Sequence, residues 1–190
     1  MITLEPSTLN DRKRFYDWLV HPELVRYMMG PPLFPEIQIP SREEFYNDYE
    51  EYYFTGSNPE LGRSYRILRD GECIGQIAYA MDLPKSKVAE LDIWLSDPKE
   101  CGQGFGTEAL RILRKMLLKK FSLVELVIRP SARNQRAVRS YQKAGFQNTG
   151  MSPESANRIY GKGDYYDDVV LVLKKDRETC VKNPSQIALK

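Results

Sequence analysis

The sequence predicts a mixed α/β (α+β) domain built on one sheet. Three observations point there. Apolar and aromatic positions recur at helical spacing near the N-terminus, at Phe15, Trp18 and Leu19. From Ser64 the period changes to two, and an Asp70-Gly71 pair sits between two strand-like runs. From Val88 onward, strand-like and helix-like segments alternate in the order β-α-β-α-β.

The chain has 190 residues, 42% hydrophobic and 28% charged, which is the balance of a folded globular chain and not of a disordered one. That length suits one domain, expected over residues 1–174 with a polar tail over 175–190. No apolar run reaches the ~20 residues of a membrane span, and the start, Met1-Ile2-Thr3-Leu4-Glu5, carries no secretory pattern. A cytoplasmic location is therefore expected, with no membrane partner. Twenty-eight basic residues against 26 acidic ones leave a net charge of +2, which argues against a nucleic-acid partner. Cys73, Cys101 and Cys180 are scattered, odd in number and without CxxC spacing, so neither a disulfide framework nor a metal site is signalled. His21 is the only histidine and precedes Pro22, which reads as a turn and not as a catalytic base.

In chain order, Ile2 to Glu5 reads as a strand and Leu9 to Val20 as a helix. A second helix runs from Pro22 to Met29 and ends at Gly30-Pro31-Pro32, because proline lacks the amide hydrogen a helix needs. Ser41 with Glu44 forms a capping-box signature that opens a third helix. Tyr65–Leu68 and Cys73–Tyr79 form the hairpin, and Val88–Leu95 is a further strand. Thr107–Phe121 is an amphipathic helix with Leu110, Leu113, Leu117 and Phe121 on one face. Val124–Ile128 reads as a buried strand, Asn134–Ala144 as a helix ended by Gly145, and Val169–Leu173 as the last strand.

The most informative segment is the junction after Leu95. Gly102, Gly104 and Gly106 alternate just before a long helix. Without Cβ atoms, successive amides can converge on one point, and the helix dipole adds positive charge there. This makes an anion site suited to phosphate. A flexible capping loop is the plain alternative. A dinucleotide loop needs G-x-G-x-x-G near a first strand, and a P-loop needs Gly-Lys-Ser/Thr, and neither stands here. A pyrophosphate cradle for coenzyme A remains.

The stretch Cys101-Gly102-Gln103-Gly104-Phe105-Gly106 resembles the Q/R-x-x-G-x-G/A loop of the GCN5-related N-acetyltransferase (GNAT) superfamily, with Cys101 in place of the leading Gln or Arg. Downstream, Asn134 to Phe146 matches that family's N-x-x-A-x-x-x-Y-x-x-x-G-F pattern at every fixed position. The resemblance implies a mostly antiparallel central sheet flanked by helices, acetyl-CoA as cofactor, and direct transfer to an amine. It places Ile93, Trp94, Leu95, Cys101, Gly102, Gln103, Gly104, Phe105, Gly106, Thr107, Asn134, Arg136, Ala137 and Tyr141 at the cofactor. The spacing of Asp92, ten residues before Gly102, resembles aminoglycoside 6'-N-acetyltransferases. RimJ-like protein N-terminal acetyltransferases and polyamine acetyltransferases share the frame, and a non-catalytic acyl-CoA sensor is the rival of another class.

Acetyl transfer needs a deprotonated amine, a polarised thioester and a protonated leaving sulfur. Period-two alternation puts Glu90, Asp92 and Trp94 on one strand face, with Leu91, Ile93 and Leu95 on the other. Asp92 is the expected general base, with Glu90 its rival, and Tyr141 the expected general acid. Solvent-facing charges and a core tyrosine are the ordinary alternatives, and Trp94 reads first as packing against a helix. Arg129, Arg133, Arg136 and Arg139 crowd one stretch, and Arg136 or Arg139 suits the coenzyme phosphates, against a solvated helix face. Acidic-aromatic runs at Ser41–Phe54 and Asp164–Asp168 suit a small polycationic amine, with Glu50, Glu51, Asp167, Glu90, Asp92 and Trp94 as acceptor contacts, or else form a helix with rings inward and charges outward. The protein is expected to act as a monomer or homodimer on a small-molecule amine.

Overall fold

The computed structural model describes residues 1–29 and 39–175. In chain order the elements are β1 (Ile2–Pro6), α1 (Leu9–Leu19), α2 (Pro22–Met29), α3 (Arg42–Asp48), α4 (Glu51–Thr55), β2 (Gly62–Arg69), β3 (Glu72–Ala80), β4 (Val88–Leu95), α5 (Phe105–Lys120), β5 (Glu125–Ile128), α6 (Gln135–Lys143), β6 (Gln147–Asn148), α7 (Pro153–Tyr160) and β7 (Leu171–Lys174). They form a seven-stranded sheet in the order β1-β2-β3-β4-β5-β7-β6, antiparallel throughout except between β4 and β5. The expected mixed, mostly antiparallel sheet flanked by helices is what the chain adopts.

Local chemistry explains most boundaries. Thr8 and Asp11 form a capping box on α1, and Ser41 and Glu44 form one on α3. Asp70 (φ +50°) and Gly71 (φ +89°) both take the left-handed conformation that a tight two-residue hairpin requires. Helix α5 starts at Phe105, two residues before the expected Thr107, because Gly104 at φ +89° serves as its N-cap. The stretch from Ser41 to Phe54 is not one helix. It breaks at Tyr49–Glu50, and α4 then ends on left-handed Gly56. Helix α7 and the two-residue β6 are elements the sequence reading lacked; Ser152-Pro153, an N-cap followed by proline at the first helical position, was the signal for α7. The expected break at Gly30-Pro31-Pro32, Cys180, and the tail from residue 176 onward lie outside the described residues.

The core has three parts. On one sheet face α5 buries Leu110, Leu113 and Leu117 against Ile67, Ile77, Leu91, Leu126 and Leu171. Each such side chain contributes about 1.5–3 kcal/mol of burial. On the opposite face an aromatic cluster, Phe15, Phe45, Tyr53, Phe54 and Trp94, holds α1, α3 and α4. A third group, Val88, Val127, Ala156, Tyr160 and Val172, seats α7.

Two features of β4 position the site. Its parallel ladder with β5 runs only from Val88–Glu125 to Glu90–Val127, so the strands part beyond Glu90 and leave a gap in the sheet. Its outward-alternating face meets a different neighbour at each step. Val88 lies under α7 and Trp94 under the aromatic cluster, while Asp92 between them is exposed. The expected alternation therefore holds, and Trp94 packs against Phe45 and Tyr49 at α3.

Candidate active site

Beyond Leu95 the backbone itself builds an anion cradle. Asp97 caps a 3-10 turn by accepting from the Lys99 amide at 2.7 Å. Gly102 (φ +79°) and Gly104 (φ +89°) follow in the left-handed region. A Cβ at either would meet nothing within 4 Å, so backbone conformation and an open face, not crowding, select glycine there. The first bond of α5 runs from the Glu108 amide to the Gly104 carbonyl at 3.0 Å. The amides of Phe105, Gly106 and Thr107 precede it, and no side chain caps them. At Gly106 an added Cβ would sit 3.7 Å from Ile93 Cδ1, an ordinary contact that a small side chain can make. Thr107 and Ser140 share a hydroxyl hydrogen bond of 2.8 Å that ties α5 to α6.

These groups line a cavity of about 340 Å³ between β4, the glycine loop and α6. The residues expected at the cofactor all line it, apart from two. Gln103 turns its amide back to the Lys99 carbonyl at 2.6 Å, and Phe105 packs into the core beneath the Arg69 guanidinium. Arg139, Ser140 and Lys143 line it as well. Ser140 and Lys143 escaped the sequence reading, although their spacing from Arg136 puts them on one face of α6. Open left-handed glycines, uncapped amides and three basic side chains fit the diphosphate and phosphate of acetyl-CoA. Asn134, the N-cap of α6, accepts from the Ala137 amide at 3.1 Å. The Cys101 thiol lies 3.8 Å from the Asp97 carbonyl, and burial pushes its pKa up, which suits a neutral wall and not a nucleophile. His21 stands at the turn between α1 and α2, its amide bonded to Trp18.

A second cavity of about 410 Å³ lies on the far side of the gap. Ile93, Trp94, Asn134 and Tyr141 line both cavities, so the two meet beside Asp92. The wall of the second cavity carries Asp48, Tyr49 and Tyr53 from the α3–α4 corner and Asp164 and Tyr165 from the loop before β7. Glu50, Glu51 and Asp167 do not line it. The chain turns at Tyr49, which sends Glu50 and Glu51 outward on α4, and Asp167 is engaged by Ser131 and Arg133, each at 3.0 Å. Asp48 and Asp164 take their place.

The two candidate bases are separated by their partners. Both Glu90 oxygens are held by Arg129, at 2.6 and 2.7 Å. Asp92 accepts a hydrogen bond from the Tyr49 hydroxyl and faces the cavity. Crowding by protein, then the charge of Asp164, raises its pKa to about 6, against the lowering effect of Tyr49 and the Ile93 amide. Asp164 and Asp48 are raised too, by burial first and then by like charge, from Asp48 and Glu44 respectively. Burial and the nearby Asp92 charge hold the proton on Tyr141, which is 9% exposed and belongs to the α5 core as well as to the cavity wall. Among the described residues, no group of three His, Cys, Asp or Glu is placed to hold a metal ion, and no helix is long and apolar enough to cross a membrane.

A family model described as an acetyltransferase (GNAT) domain matches residues 1–147. The chain belongs to the GNAT family. It is an acetyl-CoA-dependent N-acetyltransferase of the GNAT type. A curated relative, the aminoglycoside N(6')-acetyltransferase type 1 of Klebsiella pneumoniae, is 26% identical over 160 residues, 78% of this chain and 75% of that protein. Two solved structures share the fold. Aminoglycoside acetyltransferase AAC(6')-Ib in complex with coenzyme A and kanamycin has a TM-score of 0.67 at 22% identity, over 92% of this chain and 95% of that one. Spermidine N-acetyltransferase from Vibrio cholerae, in complex with coenzyme A and spermine, has a TM-score of 0.64 at 17% identity, over 91% and 95%. With the GNAT fold in place, the glycine cradle lies on one side of the β4–β5 gap and the carboxylate-lined cavity on the other.

Proposed function

We propose that this GNAT enzyme acetylates a primary amine of a small polycationic acceptor, with the 6'-amine of an aminoglycoside as the first candidate. The observation that carries this reading is the second cavity. It sets Asp48, Asp92 and Asp164 among Tyr49, Tyr53, Trp94 and Tyr165, and it joins the cofactor cavity at Trp94, Asn134 and Tyr141, beside Asp92. Carboxylates offset ammonium charge while rings cover sugar or alkyl faces. The 26% identical aminoglycoside acetyltransferase supports the same choice of acceptor.

Acetyl-CoA, when bound, supplies an activated thioester. The amides between Cys101 and Thr107, with Arg136, Arg139 and Lys143, would hold its phosphates. Asp92, with a pKa near 6, is ionised at neutral pH and takes the proton that an ammonium must lose before its nitrogen can attack. Tyr141, kept protonated, would supply the proton that the leaving sulfur needs. Tyr49 holds Asp92 in place, and Trp94 braces the floor. The free thiols of Cys73 and Cys101 accord with a cytoplasmic setting.

The test is coenzyme A release over a panel of an aminoglycoside bearing a 6'-amine, spermidine, and a peptide with a free N-terminus. The aminoglycoside should give the highest kcat/KM. A peptide preference would favour the protein N-terminal reading. Tight acetyl-CoA binding without turnover on any amine would make the protein a sensor and overturn the proposal.

A further inference from the structure

One residue in the acceptor cavity has no role in the chemistry above. Arg129, at the end of β5, is almost wholly removed from water, its side chain 4% exposed, although it lines the cavity. Its guanidinium donates to three residues from other parts of the chain. Nε and Nη2 donate to Glu90 on β4 at 2.6 and 2.7 Å. Nη1 donates to Asn157 Oδ1 on α7 at 3.2 Å and to the Gly161 carbonyl at 2.9 Å. Asn157 Oδ1 also accepts from the Gly163 amide at 2.9 Å. A Cβ on Gly163 would lie 1.8 Å from Asp168 Oδ2 and 2.9 Å from Arg129 Nη1, so the loop closes onto the guanidinium with no room for a side chain. Asp164 and Tyr165, the next two residues, form the cavity wall.

A buried ion pair is a weak source of stability, because desolvation offsets most of the Coulomb attraction. What this pair does is geometric. Arginine's planar fork fixes direction where a lysine point charge would not. Glu90 supplies the countercharge that lets the fork sit dry, and its own negative charge is thereby removed from the acceptor side.

We propose that Arg129 and Glu90 are positioning residues whose fork holds the 161–165 loop, placing Asp164 and Tyr165 in the acceptor wall and so favouring acceptors that carry a second cationic nitrogen. The inference rests on the acceptor reading of this cavity, but the placement of the loop can be read without any acceptor.

The experiment pairs backbone amide exchange with kinetics. Arg129→Gln strands Glu90 and endangers the fold, so Asn157→Ala, at an exposed helical position, carries the main test. Amides 161–165 should exchange about tenfold faster in Asn157→Ala, with the α5 amides unchanged. KM for a diamine acceptor should rise about tenfold, while kcat, KM for acetyl-CoA and kcat/KM for a monoamine stay within about twofold. Arg129→Lys, which keeps the charge and loses the fork, should show the same loop loosening and no rescue. Unchanged exchange at 161–165 in both variants overturns the proposal. So does faster exchange with an unmoved diamine-to-monoamine KM ratio. If the wild-type protein turns over no amine, the acceptor reading falls, and the exchange result alone decides whether the fork holds the loop.

Discussion

Replacing Asp92 by Asn should separate catalysis from stability in opposite directions. The carboxyl sits near pKa 6 in the folded protein, against 3.8 for an ordinary aspartate, mainly because protein crowds it and Asp164 repels it. A folded-state pKa raised above the unfolded one means the native protein binds the proton more tightly. The protonated form's advantage is fully present below about pH 4 and is lost as pH rises through about 6, so at pH 7.5 the ionised carboxylate is a net cost. A shift of about two units corresponds to roughly 3 kcal/mol for an enclosed group; Asp92 faces the open cavity, and screening reduces this to ~1 kcal/mol. Asparagine keeps an oxygen for the Tyr49 hydroxyl and carries no charge. Asp92→Asn should therefore be about 1 kcal/mol more stable at pH 7.5, with the gain vanishing near pH 4. Its kcat/KM should fall by about 10² or more. The assay is kcat/KM by coenzyme A release from pH 5 to 9 together with thermal unfolding over the same range. Dividing the wild-type profile by that of Asp92→Asn cancels the ionisation of the acceptor, and the quotient should rise through about pH 6 and then plateau. A flat quotient, or a variant with near-normal turnover, refutes the role of Asp92 as base.

Other substitutions probe the remaining parts. Gly104→Val places a β-branched residue at φ +89° and should weaken acetyl-CoA binding at least tenfold by calorimetry, whereas Gly106→Ala, with its Cβ in ordinary contact, should bind within a few-fold of wild type. Tyr141→Phe should lower kcat by roughly 10² with acetyl-CoA affinity retained, measured by steady-state kinetics and calorimetry. The double variant Asp48→Asn with Asp164→Asn should raise KM for a polycationic acceptor about tenfold at low salt and less at 0.5 M salt, and a salt-independent KM would place the acceptor elsewhere.

How far the site could be read from the chain depended on the range of the interactions that build it. The glycine loop and the Asn134–Phe146 motif were legible because their geometry is set by a few consecutive residues: left-handed glycines, an uncapped helix start, an asparagine N-cap. The alternation on β4 was legible for the same reason, and it placed Asp92 and Trp94 correctly on one face. The wall of the second cavity was not. No glycine or proline marks the break at Tyr49, yet that break turns Glu50 and Glu51 away and brings Asp48 inward. The choice of Asp164 over Asp167 depends on Ser131 and Arg133 engaging one and Arg129 anchoring the loop that carries the other. The Glu90–Arg129 pair spans 39 residues of sequence, and no local pattern announces it.

We propose that a coenzyme cradle and an acidic amine site meet at Tyr141, beside Asp92. A crystal grown with coenzyme A and a 6'-amino aminoglycoside tests it directly. The diphosphate should lie on the amides between Cys101 and Thr107, with an acceptor nitrogen within hydrogen-bonding reach of Asp92 and the coenzyme sulfur near Tyr141. Density for the diphosphate away from that loop, or an acceptor bound outside the wall formed by Asp48, Tyr49, Asp164 and Tyr165, would contradict the account.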